Sequence, residues 1–380
     1  MPPPPPKDAP LAERVQWVMG EPIPRLGGTG CEGEASKDYI ETILMHDILN
    51  QSNGGPFPVA RTGVGFGDSV TGEVYYPANL TSASAPLEVV IVLPGYFYNT
   101  GFNPGHYSTN WMGGGPASHG DVYHVLAANG YAALGFDPEG MGARVLRDSN
   151  PNRFYDRYPN SSRWARQMQD LESALAWLRC ATSPSTDECA TNPPPSGSPH
   201  PDGVRIGYPQ PFSWLGLPAL RKRVWLAGYS VGGLQALQAT ALDPFGQIAG
   251  VASFAGWTPL RTDASTRPTG GLQRYSHWHA LLPRLGLFIG KENEVPFDVD
   301  ELIDAIAPRP TLLYTPQNDA DATYSDVAAV VAEAQKANKN LLNMAPAEGH
   351  GSTSQFGRVQ IDALVGWLGN VTTIYAAAGS

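Results

Sequence analysis

The segment Leu87-Glu88-Val89-Val90-Ile91-Val92-Leu93 is almost wholly apolar and β-branched, and it stops on Pro94-Gly95. Alternate side chains of a strand point to opposite sides, so a run of consecutive apolar residues needs cover on both faces. Such cover is supplied by helices packed on both sides of a mostly parallel sheet. Residues 131–136, 224–227, 248–254, 310–314 and 340–345 read as further strands. Helical segments alternate with them, at 121–129 (closed by Gly130), 162–179, 234–242, 325–337 and 356–368. The clearest is 162–179, where Trp164, Met168, Leu171, Leu175 and Leu178 recur at helical spacing. Strand–helix alternation of this kind predicts one large α/β domain, a mostly parallel central sheet flanked by helices.

That domain is expected over residues 61–380, opening with strand and turn at 63–76. Two insertions interrupt it, a Pro-rich one at about 180–220 and an aromatic-rich one at about 257–300. Residues 1–60 read as an irregular N-terminal extension, apart from a short helix at 38–50 carrying Ile40, Ile43, Leu44 and Ile48 on one face. The opening run of five prolines after Met1 lacks a charged start followed by an apolar stretch. It is therefore read as a flexible polyproline segment rather than a signal peptide.

With 380 residues, 42% of them hydrophobic, the chain can bury a substantial core. A formal charge of −10 with no basic run disfavours nucleic acid and anionic membrane as partners. No stretch approaches the roughly 20 apolar residues of a membrane span. Cys180 and Cys189 flank a short polar loop, and a disulfide between them would imply an oxidising, extracytoplasmic or secreted setting. Two unpaired thiols in an intracellular protein are the alternative. Cys31 is left over.

The apolar strand at 224–227 runs directly into Gly228-Tyr229-Ser230-Val231-Gly232-Gly233 and then a helix. A sharp strand-to-helix turn exposes a serine oxygen, and the small residues beside it let the backbone bend. A serine hydroxyl attacks well only when a base removes its proton. Three histidines follow in the chain, at 277, 279 and 350. His350, in Glu348-Gly349-His350-Gly351-Ser352, comes directly after the last strand and is the expected base. Asp319, after the strand at 310–314, is the expected acid. Asp321 two residues on, Asp263 after the preceding strand, or a glutamate remain alternatives. An oxyanion site needs two preorganised donors. The backbone N–H of Val231 and that of Tyr96, in Pro94-Gly95-Tyr96-Phe97-Tyr98, are the candidates. Gly95, Tyr229 and Trp257 are candidate substrate contacts, with Trp111, Trp278 and Tyr98 as further aromatic wall residues. His277-Trp278-His279 has no third ligand at metal-binding spacing, so neither metal nor cofactor is expected.

With these residues in order, the chain resembles the α/β-hydrolase superfamily over roughly residues 63–370. The stretch Phe136-Asp137-Pro138-Glu139-Gly140-Met141-Gly142-Ala143-Arg144 is similar to the Asp-x-x-Gly-x-Gly loop after the fourth strand of carboxylesterases related to acetylxylan esterase and dienelactone hydrolase. Ile306-Ala307-Pro308-Arg309-Pro310 is similar to the segment leading into their acid-bearing strand, which favours Asp319. The histidine-glycine usual in their oxyanion loop is here Pro94-Gly95. The resemblance implies a cofactor-free serine esterase acting on a small or polymeric ester, of carbohydrate or aromatic polyester type. A prolyl-oligopeptidase-like peptidase shares the triad, but its upstream propeller cannot be built from 60 irregular residues. A non-catalytic binding protein on the same scaffold is the third reading, and the intact Ser230, Asp319 and His350 argue against it.

Overall fold

The computed structural model describes residues 2–23, 59–67, 70–80, 84–96, 121–142, 144, 153–182, 217–349 and 356–378. The expected helix at 38–50, Trp111, Tyr98, His350, Cys31 and Cys189 lie outside the described residues, as does the side chain of Cys180.

Among the described residues eight strands form one sheet: β1 (Val59–Phe66), β2 (Val70–Pro77), β3 (Leu87–Leu93), β4 (Ala132–Phe136), β5 (Leu220–Tyr229), β6 (Ile248–Phe254), β7 (Thr311–Tyr314) and β8 (Leu341–Met344). Their order across the sheet is β1-β2-β4-β3-β5-β6-β7-β8. β1 pairs antiparallel with β2, and β2 antiparallel with β4. Every later pairing is parallel. The helices are α1 (Leu11–Met19), α2 (Asp121–Ala128), α3 (Arg153–Arg157), α4 (Arg163–Thr182), α5 (Val231–Ala241), α6 (Val299–Ile306), α7 (Tyr324–Ala337) and α8 (Arg358–Ala378).

The continuous apolar strands are buried on both faces, as their composition requires. Val89, Ile91 and Leu93 face one core together with Trp164, Leu171, Leu234 and Leu237. Val90 and Val92 face another, with Leu126, Trp225, Leu364 and Trp367. At about 25 cal/mol per Å² of apolar area, removing both faces from water is the main force closing the layers.

Residues 1–60 are less irregular than their composition suggests, because residues 11–19 are helical. That helix buries Val15, Trp17 and Val18 and docks on a 3₁₀ turn at Pro283–Phe288. Trp17 meets Phe288 edge-on at 6.0 Å between ring centroids, and Arg14 pairs with Glu301 of α6 at 2.7 Å. The expected insertion at 257–300 consists of turns: a π-helical turn at Arg274–Trp278, two short 3₁₀ turns, and the start of α6.

The loop after β4 is fixed by its glycines and by charge. Gly142 has φ +53°, and a Cβ there would lie 2.2 Å from Asp137 Oδ1. Buried Arg144 follows, bonded to Asp170 of α4 and to Glu139 at 2.6 Å. Asp170 Oδ2 also accepts the Glu139 N–H at 2.9 Å. Gln167 of α4 then accepts from Gln235 of α5 at 2.7 Å, tying this loop's anchor to the helix that follows Ser230.

Candidate active site

Strand register decides which loops meet. Leu93 lies beside Gly228, Tyr229 beside Phe254, Phe254 beside Tyr314, and Tyr314 beside Met344. The carboxyl ends of five parallel strands therefore stop level. The segments beginning at Pro94, Ser230, Ala255, Thr315 and Ala345 all leave the sheet at one edge. Crevices at this edge are where open α/β sheets bind ligands.

Ser230 occupies the turn between β5 and α5 with φ +53° and ψ −125°. This is backbone space that only glycine enters freely, and holding a serine there costs about 1–3 kcal/mol. The surroundings enforce it. Its N–H donates to Phe254 O at 2.8 Å, and its carbonyl accepts from Gly233 N–H at 2.8 Å. A Cβ on Gly228 would lie 2.1 Å from Gly232 O, and one on Gly232 would lie 2.5 Å from Leu93 O and Pro94 O. The bend closes only with glycine at both places. Val231 is the first residue of α5, where a backbone N–H has no intrahelical acceptor. The close approach of Gly232 to Leu93 and Pro94 brings that helix start against the Pro94-Gly95-Tyr96 segment.

The β7 and β8 chains remain hydrogen-bonded beyond the strands. Thr315 N–H donates to Met344 O at 2.8 Å, Gln317 N–H to Pro346 O at 2.9 Å and Asn318 N–H to Glu348 O at 2.9 Å. The chain entering His350 thus runs alongside the chain entering Asp319. Asp319 is 7% exposed and accepts the Asp321 N–H at 2.7 Å. It lines a small hollow with Trp257, Thr315, Pro316 and Tyr324. Asp321 is placed differently: its carboxylate is bound by Arg274 at 2.7 Å, and it is 43% exposed. Asp263 is held inside its own loop by the Thr269 hydroxyl at 2.5 Å, and burial raises its carboxyl pKa.

The candidate substrate residues divide. Gly95 is buried at the end of β3, and Trp257 borders the hollow with its indole N–H unpartnered among the described residues. Tyr229 does not reach the hollow. Its ring, 2% exposed, packs on Phe356 at 5.6 Å, because the side chain before the serine points to the opposite face of the sheet. Sequence reading missed His279 as a neighbour of the Tyr96 loop. Its ring lies 4.2 Å from the Tyr96 ring, and its carbonyl accepts the Tyr96 hydroxyl at 3.4 Å. His277 bonds Ser276 instead, at 2.8 Å. Among the described residues no three His, Cys, Asp or Glu side chains form a metal cluster.

Burial, reinforced by Arg274, holds the His279 imidazole below its ordinary pKa. The unfolded chain then takes up a proton at about 6.5 while the folded one still resists it. Stability is therefore full above that pH and falls as pH drops through the interval. Thermal melts between about pH 7 and pH 5 should show wild type losing more Tm than His279→Phe, which keeps a ring against Tyr96. Parallel losses would remove His279 from the acid response.

A mostly parallel sheet with helices on both faces and a strained serine turn after β5 is the α/β-hydrolase fold. No protein-family model matches the chain, and the sequence search of curated proteins found no match. Solved structures do resemble it. A CE15 glucuronoyl esterase from Teredinibacter turnerae superposes with a TM-score of 0.55 at 12% identity, over 93% of this chain and 80% of that one. Its counterpart from Caldicellulosiruptor kristjansonii gives 0.53 at 17%, over 94% and 82%. A glucuronoyl esterase from Solibacter usitatus gives 0.50 at 16%, over 86% and 90%. At such identities the likeness is one of fold.

Proposed function

We propose that the chain is a carboxylic-ester hydrolase that works through an acyl-enzyme on Ser230. The observation that carries this reading is Ser230 at φ +53° where five parallel strands end. Strain of this kind persists only when the surrounding structure enforces it, and it concentrates where reactivity is needed. In this reading His350 takes the Ser230 proton and passes it to the leaving alcohol, while Asp319 orients the imidazole and stabilises its charged form. The N–H groups of Val231 and Tyr96 receive the developing oxyanion, Gly95 permits the close approach, and Trp257 borders the acyl or alcohol group. The mechanism needs no metal or cofactor.

The substrate class is a carbohydrate or aromatic polyester-type ester, small or polymeric. The glucuronoyl esterases of the same fold make sugar-uronate esters a first choice beside p-nitrophenyl esters of increasing acyl length. A fluorophosphonate probe should label the wild-type protein, and at least one of these esters should turn over. An unlabelled protein refutes the serine mechanism, and labelling with amide but not ester turnover points to a peptidase.

No helix among the described residues is long and apolar enough to cross a membrane. We place the enzyme outside the cytoplasm, a placement that stands on the expected pairing of Cys180 with Cys189. A native mass equal to that of the reduced protein would sink this placement.

A further inference from the structure

Glu348 holds a junction that the triad reading leaves unused. Its carbonyl accepts the N–H of Asn318, the residue before Asp319, at 2.9 Å. Its Oε1 accepts the Tyr314 hydroxyl at 2.7 Å and Gln360 Nε2–H at 2.6 Å. Tyr314 ends β7, the strand that delivers Asp319, and Gln360 lies in the first turn of α8. Gly349 follows, so close to the acid loop that a Cβ on it would lie 3.2 Å from Asn318 O. One residue thus fastens three things at one point: the acid-bearing strand, the chain leading to His350 and the closing helix. Burial first, and the hydrogen bond to Glu348 second, push the Tyr314 phenol up, so it stays protonated as a donor. Hydrogen bonds to an ionised acceptor are about twice as strong as neutral ones, which suits a clasp.

We propose that Glu348 is a positioning residue that sets where the Asp319 loop sits, by anchoring the chain that packs against Asn318 to Tyr314 and Gln360. The inference rests on the Ser230–His350–Asp319 reading. A triad acid displaced by about an ångström can lose on the order of a hundredfold in rate without any change in the substrate-binding surface.

The test is steady-state hydrolysis of p-nitrophenyl acetate by Glu348→Ala, Glu348→Gln and His350→Ala, with thermal melts alongside. Glu348→Ala should lose about ten- to a hundredfold in kcat with KM within about twofold of wild type. Glu348→Gln keeps an oxygen for both donors and should return to within about threefold of wild type. A near-wild-type kcat for Glu348→Ala overturns the proposal, as does a Gln variant no better than the Ala variant. If Glu348→Ala does not fold, Tyr314→Phe and Gln360→Ala take its place. Each removes one bond and should lower kcat severalfold, and wild-type kcat in both overturns the proposal. An active His350→Ala refutes the underlying triad reading. An inactive His350→Ala beside an unimpaired Glu348→Ala refutes the clasp alone.

Discussion

Replacing Ser230 by alanine should lower kcat on the order of a thousandfold to a millionfold and abolish fluorophosphonate labelling, the range seen when serine hydrolases lose their nucleophile. Stability should separate the alanine variant from a glycine one. Alanine keeps a Cβ, so it keeps the strain of φ +53°, ψ −125°, and its Tm should match wild type. Glycine releases strain of about 1–3 kcal/mol and gives back about 0.5–1 kcal/mol through its freer unfolded chain. The net gain, about 1 kcal/mol, raises Tm by about 1–2 °C in a chain of 380 residues. Ser230→Gly should therefore be inactive and more stable than wild type. The conformation and the chemistry are linked in this outcome. A glycine variant that melts at or below wild type would mean that the turn stores no strain for activity to draw on. An alanine variant that retains turnover would remove Ser230 from the reaction.

The sheet was legible because its central strands are buried on both faces, and that condition writes itself as an unbroken apolar run. β3 occupies the residues expected of it, 87–93. β5 was expected at 224–227 and spans Leu220–Tyr229. Its first turn of residues, Arg221-Lys222-Arg223, is exposed and charged, and it concealed the strand from a hydrophobicity reading. α6 was overlooked although its signal is local. Asp298 and Glu301 form a capping box ahead of buried Leu302, Ile303 and Ile306. α1 is a different case. Its stability comes from partners more than 260 residues away, Phe288, Arg284 and Glu301, which no local window contains. The same limit applies within the site. The serine turn is a short-range pattern and was found. That Tyr229 points away, that His279 backs the Tyr96 ring and that Arg274 takes Asp321 are consequences of chain segments brought together only by folding.

The carboxylates at 319, 321 and 263 should respond to alanine substitution in three different ways. Asp319 is buried at the hollow's edge, and the two residues before it are hydrogen-bonded to the chain that leads to His350. If it orients that imidazole, Asp319→Ala should lower kcat by about a hundred- to ten-thousandfold, since the histidine loses both its tautomer and the charge that stabilises its protonated form. Asp319→Asn should do no better, because an amide keeps the shape without the charge. Asp321 spends its carboxylate on Arg274 at the surface. The pair is open to solvent on the Asp321 side, and Arg274 keeps its bond to the Asp321 carbonyl, so Asp321→Ala should cost about 1 kcal/mol of stability and less than about tenfold in kcat. Asp263 serves its own loop through Thr269, and Asp263→Ala should lower Tm while leaving kcat within about threefold. The three possible acids thus separate by readout: rate alone for Asp319, neither strongly for Asp321, stability alone for Asp263. Equal, mild losses of rate at 319 and 321 would refute the assignment of Asp319. A rate collapse in Asp263→Ala without loss of Tm would transfer the role to the loop after β6.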